Sequence, residues 1–236
     1  MAGQLPIIVA HRGLHHQFPE NSVEAFRAAV EAGFGWVEFD VQAASDGTPV
    51  IIHDETLDRT TMGTGPVARR RGEELRHVRM RFNDMPHAAR LPVLKDPPVL
   101  SSLDAWLLVE IKPPDAEELV RRVATRLRAI HSRWILQSFN ANNLVHGQRH
   151  APDVPAALLI ESIDELAIAV GGPWEMLNVQ HDLVETALVQ KMHEQGRKIG
   201  VWTPNSAAEL RRAVQIGVDM IITDEPGLAK AIMLER

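Results

Sequence analysis

Three carboxylates and one ammonium group lie within or just after two short apolar runs of this sequence. Glu38 and Asp40 are two residues apart, and so are Glu110 and Lys112. Because side chains alternate between the two faces of a β-strand, the members of each pair would point to the same face. Three carboxylates gathered at the apolar mouth of a sheet repel one another unless a cation neutralises them. The pattern therefore predicts a divalent metal held by Glu38, Asp40 and Glu110.

The ligand chemistry limits which metal this could be. Carboxylate oxygens favour hard cations, and the chain contains no Cys that could supply a thiolate. Mg²⁺ and Ca²⁺ are hard divalent cations that bind oxygen ligands of this kind. We therefore expect Mg²⁺ or Ca²⁺ as the cofactor.

Two histidines follow extended apolar segments elsewhere in the chain. His11 ends the first apolar run and precedes Arg12 and Gly13, whereas His53 ends a later run after an Asp-Gly turn. An imidazole exchanges a proton near neutral pH, so two of them beside a carboxylate cluster can act as general acid and general base. We predict that His11 and His53 are the catalytic residues.

The expected charges indicate what such a site would bind. Three carboxylates, a divalent ion, Arg12 and Lys112 together carry a net charge of roughly +1. That charge suits one phosphodiester anion, which Arg12 can contact through two oxygens and Lys112 through a single ammonium group. Trp202, at the end of another apolar run, is predicted either to form an apolar wall against the substrate's alcohol group or to be a buried core aromatic.

Short apolar runs alternate with helical patterns along the whole sequence, which is typical of repeated βα units around a parallel sheet. Parallel strands of a closed barrel present their carboxyl ends at one mouth, where active sites of this architecture lie. Eight such runs in 236 residues favour an α/β fold with a single (β/α)8 TIM barrel over an open doubly wound sheet. The predicted strands are Ile7–Ala10, Trp36–Val41, Trp106–Ile111, Trp134–Gln137, Ala157–Ile160, Met176–Val179, Ile199–Trp202 and Asp219–Thr223.

Capping signals mark the starts of several helices. A polar cap with a Glu three residues later predicts a capping box, in which each side chain binds the other residue's amide. Asp224, just before Glu225 and Pro226, is predicted to cap the last helix. The four predicted boxes are Asn21 with Glu24, Asp115 with Glu118, Ser162 with Glu165, and Ser206 with Glu209.

One segment interrupts the alternation of strands and helices. Residues 55–98 contain eight Arg among Gly and Pro, with no clear strand pattern. We interpret this segment as a small insertion after strand two, forming either a solvated loop or a lid that attracts anions. We expect residues 1–236 to form one domain that includes it.

Composition excludes several function classes. With 25 Lys and Arg against 31 Asp and Glu, the net charge of −6 argues against general nucleic-acid binding. The absence of Cys and Tyr excludes thiol and phenol nucleophiles. No apolar run is long enough to span a bilayer, and the first residues lack a signal-peptide pattern, so a cytoplasmic protein is expected. The oligomeric state is left open.

Taken together, these motifs resemble the glycerophosphodiester phosphodiesterase family over essentially the whole chain, in order. Joint agreement of many short motifs is far more specific than any one of them. The motifs are His11-Arg12-Gly13, Pro19-Glu20-Asn21-Ser22, Glu38-Phe39-Asp40-Val41, Asp46-Gly47, His53-Asp54, Leu57-Asp58-Arg59-Thr60-Thr61, Glu110-Ile111-Lys112, Gln137-Ser138-Phe139, Val201-Trp202-Thr203 and Thr223-Asp224.

The resemblance implies a barrel enzyme that hydrolyses glycerophosphodiesters, such as glycerophosphocholine or glycerophosphoethanolamine, to an alcohol and glycerol 3-phosphate. It implies that His11 and His53 serve as general acid and base, that the three carboxylates bind metal, and that Arg12 and Lys112 contact the phosphate. Two alternatives stay open: a lysophospholipid- or phosphoinositide-cleaving enzyme of the same barrel type, or a phosphodiester-binding module without turnover.

Overall fold

The computed structural model describes residues 5–95, 98–131 and 133–235, and its strands and helices alternate along these ranges. The strands are β1 (Ile7–Ala10), β2 (Trp36–Ala43), β3 (Pro49–Ile51), β4 (Arg79–Phe82), β5 (Met85–Arg90), β6 (Trp106–Ile111), β7 (Trp134–Ser138), β8 (Ala156–Ile160), β9 (Met176–Gln180), β10 (Lys198–Trp202) and β11 (Met220–Thr223). The helices are α1 (Val23–Glu31), α2 (Gly72–Leu75), α3 (Pro98–Ser101), α4 (Glu117–Ile130), α5 (Ala141–His150), α6 (Ile163–Val170), α7 (Thr186–Glu194), α8 (Ala207–Ile216) and α9 (Pro226–Leu234).

Eight parallel strands close into a barrel, which confirms the predicted (β/α)8 fold. The strand order runs β1, β11, β10, β9, β8, β7, β6, β2, and a pairing of Ala10 with Val37 joins β2 back to β1. All eight predicted strands are present, with ends that differ by at most two residues. The short strand β3 pairs antiparallel to the end of β2 and lies outside the parallel set.

The barrel separates two apolar layers, because alternate side chains of each strand face its interior or the surrounding helices. The outward side chains pack with the helices in the larger core, which includes Phe39 and Ile111. The inward side chains form a smaller cluster inside the barrel, which consists of Val9, Leu108, Ile135, Ala157, Met176, Met220 and Ile222, with Ile7, Trp36, Trp106 and Trp202 against it. An apolar interior thus lies beneath the mouth where the strands end.

The helix starts agree only partly with the predicted capping boxes. The box at Ser206 and Glu209 is complete, and Ser162 accepts a hydrogen bond from the amide of Glu165. The prediction for Asn21 is wrong, because Ser22 caps α1 and the Asn21 side chain donates to Asp40 instead.

The cap predicted at Asp115 is also wrong. Ala116 is the N-cap of α4 and gives no side-chain hydrogen bond, while Asp115 lies in the left-handed backbone region and contacts His146.

Among the described residues, α4 is the longest helix with 14 residues. None of the described helices combines the length and the apolar character that a membrane span requires.

The insertion has more regular structure than its sequence indicated. The prediction that it lacks strands is wrong, because β4 and β5 form an antiparallel hairpin, preceded by a 3-10 turn at Val67–Arg69 and by α2. The insertion packs in a small core together with residues 44–52, and Thr61 bridges to Met80 of the hairpin. The core residues are Ala44, Val50, Ile52, Leu57, Val67, Leu75, Leu91 and Val93. The segment is therefore packed, with regular structure, and is not a solvated loop.

The barrel interior requires a glycine at position 200 in β10. A Cβ at this position would lie 2.3 Å from Asn178 Oδ1 and 3.2 Å from Met220 Cβ. We expect Gly200→Ala to lower the free energy of unfolding by about 1–3 kcal/mol, because the side chain overpacks a closed interior. Urea denaturation would measure the loss.

Gly227 of α9 provides the matched control, since a Cβ there meets no atom within 4 Å. Gly227→Ala should be neutral or slightly stabilising, because Ala favours helix over Gly. Equal unfolding free energies for the two variants would contradict the overpacking argument.

Candidate active site

Three buried carboxylates meet at the carboxyl end of the barrel. Glu38 and Asp40 face inward from β2, and the parallel register places Asp40 directly beside Glu110 of β6. A ligand oxygen from each of the three lies within 4.8 Å of the others. The structure therefore brings together the three residues that the sequence predicted as metal ligands.

Arg12 and Lys112, the predicted phosphate contacts, lie against this cluster. Arg12 Nε is 3.1 Å from Asp40 Oδ2, and the Arg12 backbone amide donates to Glu38 Oε2 over 3.2 Å. Lys112 Nζ donates to Glu110 Oε1 over 2.7 Å and lies 3.3 Å from Asp40 Oδ1. Two cations therefore compensate part of the negative charge of the three carboxylates.

Burial and neighbouring charges shift the pKa values of the carboxyls in opposite directions. Burial and repulsion by Asp40 raise the pKa of Glu110 to about 7, and burial with the same repulsion raises the pKa of Glu38 well above its usual range. Burial also opposes ionisation of Asp40, but Arg12 and Lys112 outweigh it and lower the pKa of that carboxyl. The excess of negative charge among the three favours a further cation.

A divalent metal fits these residues on a second ground. Asp40 Oδ1 is buried and accepts no hydrogen bond from the described residues, although Lys112 Nζ lies 3.3 Å away. Cations in contact with it stabilise a buried carboxylate oxygen that has no hydrogen-bond donor, so a metal ion could bind this oxygen in addition to Lys112. The three carboxylates also form the oxygen-only donor set that Mg²⁺ and Ca²⁺ favour. The residues present are therefore those that a hard divalent ion requires.

Amide side chains hold the carboxylates in place from two sides. Asn21 Nδ2 donates to Asp40 Oδ2 over 2.8 Å, and the Asp40 amide donates back to Asn21 Oδ1. On the other side, Asn178 donates to Gln137 over 2.9 Å, and Gln137 donates to Glu38 over 3.3 Å. These fixed amides leave the carboxylates little rotational freedom.

His11 lies beside the cluster and is oriented by an aspartate from the far end of the chain. Its Nδ1 donates to Asp224 Oδ1 over 2.6 Å, and its Nε2 is 3.8 Å from Glu38 Oε2. His15 and Asn205 also donate to Asp224, over 2.8 and 2.6 Å. The prediction that Asp224 caps the last helix is wrong, because Glu225 is the N-cap of α9.

His53 reaches the cluster from the loop after β3. Its Nδ1 donates to Asp54 Oδ1 over 2.8 Å, and burial lowers the pKa of the imidazole. Both His53 and His11 act electrostatically on Asp40 and lower the pKa of its carboxyl. The two predicted catalytic histidines therefore approach the same carboxylate cluster.

Trp202 lies half-buried at the barrel mouth beside Phe139. The two rings pack edge to face with centroids 5.5 Å apart, and Trp202 Nε1 donates to the backbone oxygen of Asn178 over 3.0 Å. Lys112 Nζ is 5.9 Å from the Phe139 ring centroid. This position fits both interpretations of Trp202, because the ring lies beside Phe139 and also packs against the apolar cluster inside the barrel.

Sequence reasoning missed the supporting roles of Asp224, His15 and Asn21. Asp224 directly follows the last barrel strand, so the position that identified the other site residues applied to it as well. His15 carried no recognisable pattern, because its partner lies 209 residues away. Asn21 stands three residues before Glu24, so the capping-box pattern assigns it to a helix start.

Comparison with known proteins agrees with this geometry. Residues 11–228 match the model of the glycerophosphoryl diester phosphodiesterase family. A glycerophosphodiester phosphodiesterase of Caldanaerobacter subterraneus subsp. tengcongensis is 31% identical over 237 residues, which cover 93% of this chain and 94% of that protein.

Solved structures show the same likeness. A crystal structure of a glycerophosphodiester phosphodiesterase from Agrobacterium tumefaciens superposes with a TM-score of 0.80 at 27% identity, covering 96% of this chain and 100% of that one. An Oleispira antarctica phosphodiesterase, solved in complex with the product sn-glycerol-3-phosphate, gives a TM-score of 0.84 at 25% identity over 97% of each chain. The chain therefore belongs to the glycerophosphoryl diester phosphodiesterase family.

Proposed function

We propose that this chain is a metal-dependent hydrolase that splits glycerophosphodiesters, such as glycerophosphocholine or glycerophosphoethanolamine, into an alcohol and glycerol 3-phosphate. The observation that carries the proposal is the cluster of Glu38, Asp40 and Glu110, flanked by two histidines that each contact an aspartate. The product bound to the Oleispira relative is the one that this reaction releases. Residues 1–236 would act as one catalytic domain, with the insertion as its cap.

Glu38, Asp40 and Glu110 would hold the metal, which we propose to be Mg²⁺ or Ca²⁺. When bound, such an ion polarises an oxygen on phosphorus and stabilises the negative charge of the transition state. Arg12 and Lys112 would bind the remaining phosphate oxygens, Arg12 through its planar guanidinium fork. Trp202 and Phe139 would exclude water beside the substrate's alcohol group.

The imidazoles of His11 and His53 would transfer the protons. Because the ionised Asp224 and Asp54 each accept from an Nδ1–H, the Nε2 atom of each ring is left to exchange a proton with substrate. One imidazole removes the proton from the attacking oxygen while the other donates a proton to the leaving alkoxide. The attacking oxygen is a hydroxyl of the substrate's glycerol, with a cyclic phosphate that water then opens, or a water molecule directly.

Release of glycerol 3-phosphate, measured for several head groups and for a lysophospholipid with Mg²⁺ or Ca²⁺, tests the proposal. We expect turnover of glycerophosphodiesters that ceases after exhaustive chelation and returns when metal is added. Glu110→Gln should weaken metal binding in calorimetry by more than about tenfold and lower turnover in parallel, because one of three anionic ligands is lost.

Glu194→Gln, an exposed change at the end of α7, provides the control and should alter neither metal binding nor turnover. Full activity after chelation would remove the metal from the mechanism. Cleavage of the lysophospholipid alone would favour the lipid-cleaving alternative, and metal binding without turnover of any substrate would favour a binding module.

His53→Ala should leave folding and metal binding intact and reduce kcat by ~10²- to 10⁴-fold, because one proton-transfer group is lost. His77→Ala is the matched control, since His77 is exposed and belongs to the insertion. Comparison of kcat for both variants, with calorimetry of metal binding, measures the difference. Turnover at the wild-type rate in His53→Ala would refute the assignment.

Asp224 should make stability depend on pH. Hydrogen bonds from His11 and His15 outweigh the effect of burial and lower the pKa of Asp224 in the folded protein. A carboxyl whose pKa is lower in the folded than in the unfolded protein stabilises the fold at pH values above the unfolded pKa, which is about 4. This contribution is lost as the pH falls toward the folded pKa.

Asp224→Asn should therefore be less stable than the wild type at pH 6, and the difference should shrink as the pH approaches 3. Urea denaturation of both proteins between pH 3 and pH 6 measures this change. A difference that stays constant over the range would contradict the ionised role of Asp224.

A further inference from the structure

A row of ionic contacts links the insertion to the loop after β1, and Arg59 stands at its centre. The Arg59 guanidinium donates to both oxygens of Asp54, through Nε over 2.7 Å and Nη2 over 2.8 Å. It also donates to both oxygens of Glu20, through Nη1 over 2.6 Å and Nη2 over 2.9 Å. One side chain therefore binds two carboxylates, each through two hydrogen bonds.

Each of these carboxylates contacts a residue of the proposed mechanism. Asp54 Oδ1 accepts from His53 Nδ1 over 2.8 Å, and Glu20 Oε1 accepts from Arg12 Nη1 over 2.9 Å. The row thus runs from one proposed proton-transfer group to one proposed phosphate contact, and Arg59 is the link between its two halves.

We propose that Arg59 is a positioning residue, which fixes the His53 imidazole through Asp54 and the Arg12 guanidinium through Glu20. The proposal rests on the proposed function, because it assigns Arg59 to the same site. Arg59 belongs to the Leu57-Asp58-Arg59-Thr60-Thr61 segment, which carries no other role in the site.

A positioning role does not exclude a contribution to stability. The Arg59 side chain is 49% exposed, but its partners Glu20 and Asp54 are 18% and 24% exposed, and bidentate contacts of this kind also contribute to folding stability. The His53 side chain is 34% exposed, so packing alone does not fix its ring. Hydrogen bonds from Arg59 are the leading cause that lowers the pKa of Asp54 to about 2, which keeps Asp54 ionised as an acceptor for His53 Nδ1–H.

The planar fork of arginine explains why this residue type is needed. Five N–H groups in one plane can bind two carboxylates bidentately, whereas the ammonium group of lysine is a single compact charge. Arg59→Lys should therefore keep the positive charge but lose the contact with one of the two carboxylates. We expect it to recover only part of the activity that Arg59→Gln loses.

The contact of Arg59 with Asp54 and its contact with Glu20 predict different kinetic effects, which a purely structural role would not produce. Asp54→Asn should mainly lower kcat, because it disturbs His53, and Glu20→Gln should mainly raise KM, because it disturbs Arg12. Arg59→Gln should do both and lower kcat/KM by about 10- to 100-fold, the usual effect of losing an outer-shell partner. The melting temperatures of these three variants measure any loss of stability separately from the kinetic constants.

Arg71→Gln is the matched control. Arg71 belongs to the same insertion, is 70% exposed, and its Nε lies 3.9 Å from the nearest Asp46 oxygen. We expect wild-type kcat and KM in this variant. Wild-type constants in Arg59→Gln as well, or losses of equal size in both variants, would overturn the proposal.

A double substitution distinguishes a shared contact from two independent effects. If Arg59 acts on His53 through Asp54, the kcat of Arg59→Gln combined with Asp54→Asn should be no lower than that of the more severe single variant. Multiplicative losses would overturn the proposal. If Arg59→Gln fails to fold while Arg59→Lys has full activity, any positive charge suffices, and the positioning role is refuted.

A spectroscopic measurement separates this proposal from the proposed function. In protein labelled with ¹⁵N-histidine, the Nδ1–H resonance of His53, assigned through its absence in His53→Ala, should be protected in the wild type and weakened in Arg59→Gln. An unchanged resonance would overturn the positioning role. If the wild type releases no glycerol 3-phosphate, the proposed function fails, and this resonance alone still decides whether Arg59 positions His53.

Discussion

Three carboxylates buried at one end of a barrel create the electrostatic constraint on which the site depends. Ligand oxygens of Glu38, Asp40 and Glu110 lie within 4.8 Å of one another and almost out of contact with water. Repulsion at this distance is strong where the effective dielectric is low, so positive charge must lie nearby. Arg12 and Lys112 supply part of it, while burial and repulsion by Asp40 raise the pKa values of Glu38 and Glu110.

The barrel meets this constraint through register and alternation. Parallel pairing sets Asp40 beside Glu110, and inward alternation points both toward the mouth above an apolar interior. Gln137 and Asn178, from strands farther around the barrel, extend the polar contacts to Glu38. Gly200 leaves the space that Asn178 occupies. A residue without any functional group thus contributes to the position of a carboxylate two side chains away.

The two histidines reach the cluster with similar support from very different parts of the chain. His53 is bound by its sequence neighbour Asp54, whereas His11 is bound by Asp224, which lies 213 residues later. Closure of the barrel between β1 and β11 makes the second pairing possible, because it places the first and last strand ends side by side. The insertion, which packs in a small core with residues 44–52, holds Arg59 at the rim between the Glu20 and Asp54 carboxylates.

The barrel and the residues with chemical groups at its mouth follow from local patterns in the sequence. Period-two alternation placed Glu38 with Asp40, and repeated βα units predicted eight strands, because both signals are local. Contacts between distant residues depended on the tertiary structure, as for Asp224 with His11 and Asn178 with Gln137. Local patterns record which face a residue occupies, but the partner it meets is decided by strand register and barrel closure, which no short segment encodes.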